Sequence, residues 1–166
     1  MTKQLVLLRH AKASHDELGG ADFERPLSAR GKQEADQIAQ QLKAAELSID
    51  AIVTSPAERA YDTAQVVAGV LEFPVDEILT EESIYEASVE TLLDLIRDLD
   101  DGDHTVLLVG HNPGFSDVIN ELSIESLVAL PTAGVCVLLF DAPHWIDVSA
   151  SNSLKRSLFS PEEAAN

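Results

Sequence analysis

Four short apolar runs stand out along the chain, at 5–8, 51–54, 105–109 and 135–140. Each is unbroken rather than alternating, and each stops at charge, serine or glycine. That is the pattern of strands buried on both faces. Between them, apolar residues recur at helical spacing. Ala35, Ile38, Ala39 and Leu42 share one face of a predicted helix that opens after Ser28 as N-cap and ends near Glu46. Ala60, Ala64, Val67, Ala68 and Leu71 mark a second, opened by Ser55-Pro56. Val89, Leu92, Leu93, Ile96 and Leu99 mark a third. Phe115, Val118, Ile119 and Leu122 mark a fourth, with Asn112-Pro113 at its start.

The weaker segments fill the gaps. Residues 73–79 read as a strand spoiled by Pro74 and two acids, and 80–87 as a glutamate-rich loop. Residues 11–25, with Gly19-Gly20, have no clear period and read as a loop over the first strand end. Residues 130–134 form a turn, and 145–148 the second arm of a late hairpin with 135–140. Strands alternating with helices imply an α/β fold: a three-layer α/β/α sandwich on a mainly parallel, mixed sheet. Residues 1–150 are expected to form one domain. Residues 151–166 are expected to be a polar C-terminal tail, with a short helix near 160–163.

Composition narrows the function. A length of 166 residues suits a single domain with a substantial core. A net charge of −18 argues against nucleic-acid partners and anionic membrane surfaces. No apolar run approaches a membrane span, and the N-terminus has no signal pattern, so a cytoplasmic location is expected. The lone Cys136 excludes an internal disulfide and lies in an apolar run, as a buried core thiol would.

Against that acidity, a few cations sit in telling places. Arg9-His10 follows the first strand, Arg59 lies in the first turn after the second, and His111 follows the fourth. Taken singly, each has a plain structural reading: Arg9 in a salt bridge, Arg59 paired with Glu58 or Asp62, His111 in a turn. Taken together, the carboxyl ends of parallel strands share one edge, where ligands of open α/β sheets bind. Two arginines and two histidines there suit a tetrahedral phosphoryl group. The arginines bind its oxygens, one imidazole attacks phosphorus and the other donates to a developing charge.

The chain also resembles a known family. Leu8-Arg9-His10-Ala11-Lys12 is similar to the Arg-His-Gly signature of the histidine phosphatase superfamily (phosphoglycerate mutase-like), in the Arg-His-Ala-Lys form frequent in SixA-type phosphohistidine phosphatases. The likeness continues through 22–28 (Asp-Phe-Glu-Arg-Pro-Leu-Ser), 54–60 (Thr-Ser-Pro-Ala-Glu-Arg-Ala), 84–87, 109–114 (Val-Gly-His-Asn-Pro-Gly) and 131–134, in the family's order. It implies that His10 is the nucleophile and that Arg9, Arg59 and His111 hold the phosphate and stabilise the transition state. Water then hydrolyses the phosphohistidine, and no cofactor or metal takes part.

Two positions depart from the family pattern. Where many members have Ser or Thr, this chain has Ala13, and Ser14 is the expected substitute phosphate ligand. The general acid of larger members falls on Glu82 by position, with Glu86 and Glu81 as alternatives. Arg25 is a further expected substrate contact, and Lys12 an outer positive charge. His15, His104 and His144 carry no motif around them. The expected partner is a phosphorylated protein, carrying phosphohistidine on a phosphorelay domain for example, or a small phosphorylated metabolite. The alternatives are a small-molecule phosphomonoesterase and a non-catalytic phosphate-binding module. A mutase would need a lid, for which the chain between Arg59 and His111 has little material.

Overall fold

The computed structural model describes residues 1–14, 21–126 and 129–161. Six strands, β1 (Thr2–Arg9), β2 (Ala51–Thr54), β3 (Leu79–Thr80), β4 (Thr105–Gly110), β5 (Val135–Asp141) and β6 (Ser153–Phe159), form one sheet in the order β3-β2-β4-β1-β5-β6. The first four strands in that order are parallel; β5 runs antiparallel to β1, and β6 antiparallel to β5. Four helices, α1 (Ala29–Ala44), α2 (Glu58–Val70), α3 (Val89–Arg97) and α4 (Gly114–Leu122), cover it.

The unbroken apolar runs have their physical reason in that covering. Val6, Leu8, Leu107 and Val109 point to one face and meet Ala35, Ile38, Ala64 and Val67 of α1 and α2. Leu5, Leu7, Val106 and Leu108 point to the other and meet Leu92, Ile96, Phe115 and Ile119 of α3 and α4. This is the expected three-layer α/β/α sandwich on a mainly parallel, mixed sheet. Cys136 is fully buried in the second layer, opposite Leu7 in the β1–β5 register.

Three expectations about elements are corrected. The third strand is only Leu79–Thr80, because Pro74 and the acids set Val75–Glu77 into a 3-10 turn. The last strand is not at 145–148. Trp145–Asp147 is a 3-10 turn whose indole is buried beneath Lys3, with Trp145 Nε1 donating to the Asp103 carbonyl. The strand paired with β5 is β6, so 153–159 of the expected polar tail belongs to the sheet. The short helix expected near 160–163 falls largely outside the described residues, as do Gly19-Gly20 and His15 of the loop after β1.

The chain is tied tightly where it leaves β1. Ser28 caps α1 by accepting from the Gly31 amide and donating to the Lys12 carbonyl. Gly31 is required there: a Cβ would lie 2.0 Å from that carbonyl oxygen. The Ala11 amide donates to Thr63 Oγ1, which in turn donates to the Arg59 carbonyl. These bonds fix β1's exit against both α1 and α2.

Candidate active site

Register brings the site together. Arg9 lies opposite Gly110, and Leu8 opposite Val109, which is opposite Thr54. The residues that follow these strand ends, His10, Ser55 and His111, therefore emerge side by side. The two histidines open into a cavity of about 380 Å³ lined also by Arg9, Asp22, Arg59, Tyr85, Glu86 and the start of α4, while Ser55 lies buried behind. The His10 and His111 ring centroids are 5.2 Å apart.

The hydrogen bonds of His10 settle its tautomer. Its Nδ1 lies 2.8 Å from the Ala11 carbonyl oxygen, which can only accept, so Nδ1 carries the proton. The lone pair is then on Nε2, where Arg59 Nε approaches to 3.4 Å. Burial, with help from Arg59, Arg9 and Arg25, lowers the pKa of His10 to about 4. At neutral pH the ring is an uncharged nucleophile.

His111 yields to the same accounting. Its Nε2 is 2.8 Å from Ser55 Oγ. Ser55 is fully buried, and its oxygen meets the Ala57 amide, a donor, and His111 Nε2. Among the described residues His111 Nε2 is the acceptor within reach of the buried hydroxyl proton, which leaves the ring proton on Nδ1. Burial first, then His10 and Arg59, lower the His111 pKa to about 3. Its Nδ1 is buried and has no partner among the described residues, and the same is true of Arg9 Nε. Arg9 is anchored from behind, where Nη1 donates to the Leu130 carbonyl that also receives Asn112 Nδ2. Two buried donors on cavity-lining side chains thus lack an acceptor. Leaving a buried donor unsatisfied costs about 1–3 kcal/mol, a cost that a phosphoryl oxygen would remove.

Arg59 is buried on the first turn of α2. Its partner is neither Glu58 nor Asp62. Nη1 donates to the Asp22 carbonyl at 2.7 Å and Nη2 to Asp22 Oδ2 at 3.0 Å. Asp22 also receives the Tyr85 hydroxyl at 2.7 Å and Arg25 Nη1 at 3.0 Å. These donors, Tyr85 first, hold the Asp22 pKa down at about 2, and the same bond raises that of Tyr85.

Of the expected site residues, Arg9, His10, Arg59 and His111 are brought together. Three expectations are corrected. Ser14 does not line the cavity, because its hydroxyl donates to the Pro26 carbonyl in the bridge that joins Ala13 to Leu27. Glu82 is exposed on a 3-10 turn outside the cavity; of the three glutamates considered, Glu86 lines it. Glu86 sits there with φ of 55°, a left-handed conformation unfavourable for a residue with a Cβ. Arg25 does not line the cavity; among the described residues it bonds Asp22 and the Ser14 carbonyl. Asp22, Tyr85 and Ser55 were given no role at the site from sequence, although each falls in one of the family-like blocks 22–28, 84–87 and 54–60. The role of Asp22, one of 29 acids, shows only where Arg59 is seen to point at it.

Comparison with known proteins agrees with the geometry. An uncharacterized protein of Mycobacterium tuberculosis (strain H37Rv) is 33% identical over 151 residues, covering 85% of this chain and 91% of its own. The structure of an Agrobacterium tumefaciens protein, a candidate phosphohistidine phosphatase SixA, matches with a TM-score of 0.75 and 32% identity over 82% of this chain and 90% of that one. The structure of the protein histidine phosphatase SixA complexed with tungstate shares the fold, with a TM-score of 0.83 at 23% identity, covering 96% of this chain and 98% of that one. The family model for branch 1 of the histidine phosphatase superfamily matches residues 5–95. With more than half its length spanned by that model, and with this strand-end cluster, the chain belongs to the histidine phosphatase superfamily, branch 1.

Proposed function

We propose that the chain is a phosphohistidine phosphatase of the SixA type, working through phosphorylation of its own His10. The observation that carries this reading is the state of the two imidazoles. His10 presents a neutral lone pair at Nε2, and His111 Nδ1 and Arg9 Nε are buried donors without an acceptor among the described residues. In the proposed first step, His10 Nε2 attacks phosphorus and the bond to the leaving group breaks. Arg9, Arg59 and His111 donate to the three equatorial oxygens, where charge is spread in the transition state. The proton stays on Nδ1, donated to the Ala11 carbonyl, which keeps the ring oriented and offsets the charge that forms on it. In the second step, water attacks the phosphohistidine and inorganic phosphate leaves.

The choice of a nitrogen-linked substrate rests on how little acid the cavity offers. Asp22 is held ionised and cannot supply a proton, and Glu82 lies outside the cavity; Glu86 is the one other carboxyl lining it among the described residues, so Glu86→Gln should slow ester turnover and spare phosphohistidine turnover. An alkoxide leaving group needs a proton, worth about 10²–10⁴-fold in rate. A protonated imidazole leaves without one. The names of the SixA structures support this reading.

The test compares a phosphohistidine-bearing protein and phosphoimidazole with a panel of phosphate esters. The nitrogen-linked substrates are expected to have the higher kcat/KM. Alkaline quenching should trap phosphate on the wild-type enzyme, and His10→Ala should abolish both trapping and turnover. A preference for an ester, or intact turnover by His10→Ala, overturns the assignment.

A further inference from the structure

Asp22 does more than neutralise Arg59. Its side chain is 52% exposed although its partner is buried, so it stands at the open side of the cavity. The Arg59 guanidinium lies between it and the nucleophile, with Nε toward His10 Nε2 and Nη2 toward Asp22 Oδ2. A phosphoryl group lying along that guanidinium presents its leaving group toward the Asp22 side. A carboxylate has about four acceptor positions. Tyr85 and Arg59 take both on Oδ2, and Arg25 takes one on Oδ1. Among the described residues, one acceptor position on Oδ1 is left over. Beside it, Tyr85 lines the cavity and Phe23, partly exposed, packs edge-on against Tyr85 with ring centroids 5.3 Å apart. The mouth thus combines a fixed negative charge with an aromatic flank.

Resting on the proposed function, we propose that Asp22 reads the leaving group, its carboxylate receiving the N–H of a departing N-phosphorylated imidazole. The bonds balance as follows. The P–N bond of the substrate breaks as the bond from phosphorus to His10 Nε2 forms. The bonding pair stays on the substrate nitrogen. The proton on the other ring nitrogen, held by Asp22, makes the departing imidazole neutral rather than anionic. An oxygen-linked group departs with the pair as an anion, which the same carboxylate repels. Asp22 therefore acts on selectivity in both directions, favouring one class and opposing the other.

The test is the ratio of kcat/KM for phosphoimidazole to that for phenyl phosphate. Asp22→Asn keeps the shape and removes the charge, and the ratio is expected to fall about tenfold or more, the loss of one charge-assisted hydrogen bond. Asp22→Glu keeps the charge and should hold the ratio closer to wild type. A merely structural role, holding Arg59 in place, would lower both substrates together and leave the ratio unmoved. An unmoved ratio in Asp22→Asn, or an equal fall in Asp22→Glu, overturns the proposal. Wild-type enzyme unable to hydrolyse phosphoimidazole overturns the proposed function and this role with it. Wild-type turnover of phosphoimidazole with an unmoved ratio overturns the role of Asp22 alone.

Discussion

His10 and His111 are both stripped of their proton affinity by the same surroundings, yet the proposed mechanism gives them opposite tasks. The difference lies in one neighbour each. The Ala11 carbonyl makes His10 a donor at Nδ1 and a nucleophile at Nε2, whereas the Ser55 hydroxyl makes His111 an acceptor at Nε2 and a donor at Nδ1. Ser55→Ala is therefore expected to lower kcat about tenfold, the value of one hydrogen bond to a transition state. NMR of the ring nitrogens would show His111 as a single Nδ1–H tautomer in the wild type and as a mixture in the variant. The acidic limb of kcat/KM, which reports the free enzyme, is expected near pH 4 and not near 6.5. His10 must lose its proton to attack, so activity disappears as pH falls through about 4. Glu82→Gln should change turnover less than about twofold on any substrate, because an exposed carboxylate outside the cavity contributes little. Arg9, His10, Arg59 and His111 were legible because each ends a strand or opens a helix. Glu82 and Ser14 misled because one step along a short turn moves a side chain out of a cavity, and sequence does not show where the step falls.

At the scale of elements, the site depends on how firmly β1's exit is held against α1. Gly31→Ala would drive a Cβ into the Lys12 carbonyl, and a backbone oxygen fixed by Ser28 cannot yield. A destabilisation of about 1–3 kcal/mol is expected, as for other overpacked positions. Chemical denaturation would measure it, and activity should fall beyond the loss of folded protein because His10 lies two residues before Lys12. The strands buried on both faces were readable, since their apolar runs have no competing period. The edges were not. β3 is two residues long, and its outline is set by pairing with Val53 and Thr54 rather than by its own composition. β6 carries Lys155 and Arg156 in a polar stretch, and only β5's exposed edge makes a strand of it. Trp145 to Val148 looked like a strand because it is apolar, but Trp145 owes its burial to Lys3 and Asp103 at the far end of the sheet.

For the whole molecule, a charge of −18 opposes the approach of the anionic substrate that the cavity is built to hold. Raising ionic strength from about 0.01 to 0.15 M shortens the reach of that repulsion from about 30 to 8 Å. kcat/KM for an acidic phosphoprotein should therefore rise with salt, where a basic enzyme would slow. Stopped-flow or steady-state rates across that range would check it. Acid has a second effect. Below about 6.5 the unfolded chain protonates His10 and His111, while the folded chain leaves them neutral down to about 4 and 3. The unfolded state then binds more protons, and stability should fall as pH drops through that window. Urea midpoints measured from pH 7 to 4 should decline, and less steeply in His111→Gln.

One buried atom offers a way to watch all of this. The Cys136 thiol, the chain's single sulfhydryl, is fully enclosed, and burial pushes its pKa up to about 12. A disulfide reagent needs a thiolate, so the native protein should be inert to it. Cys136 lies opposite Leu7, three residues before His10, and its side chain projects into the layer that α3 and α4 cover, so reaching it means lifting that layer from the sheet. The rate of thiol labelling is therefore a clock for opening of the layer over the strand that carries the nucleophile, and bound phosphate or tungstate should slow that clock.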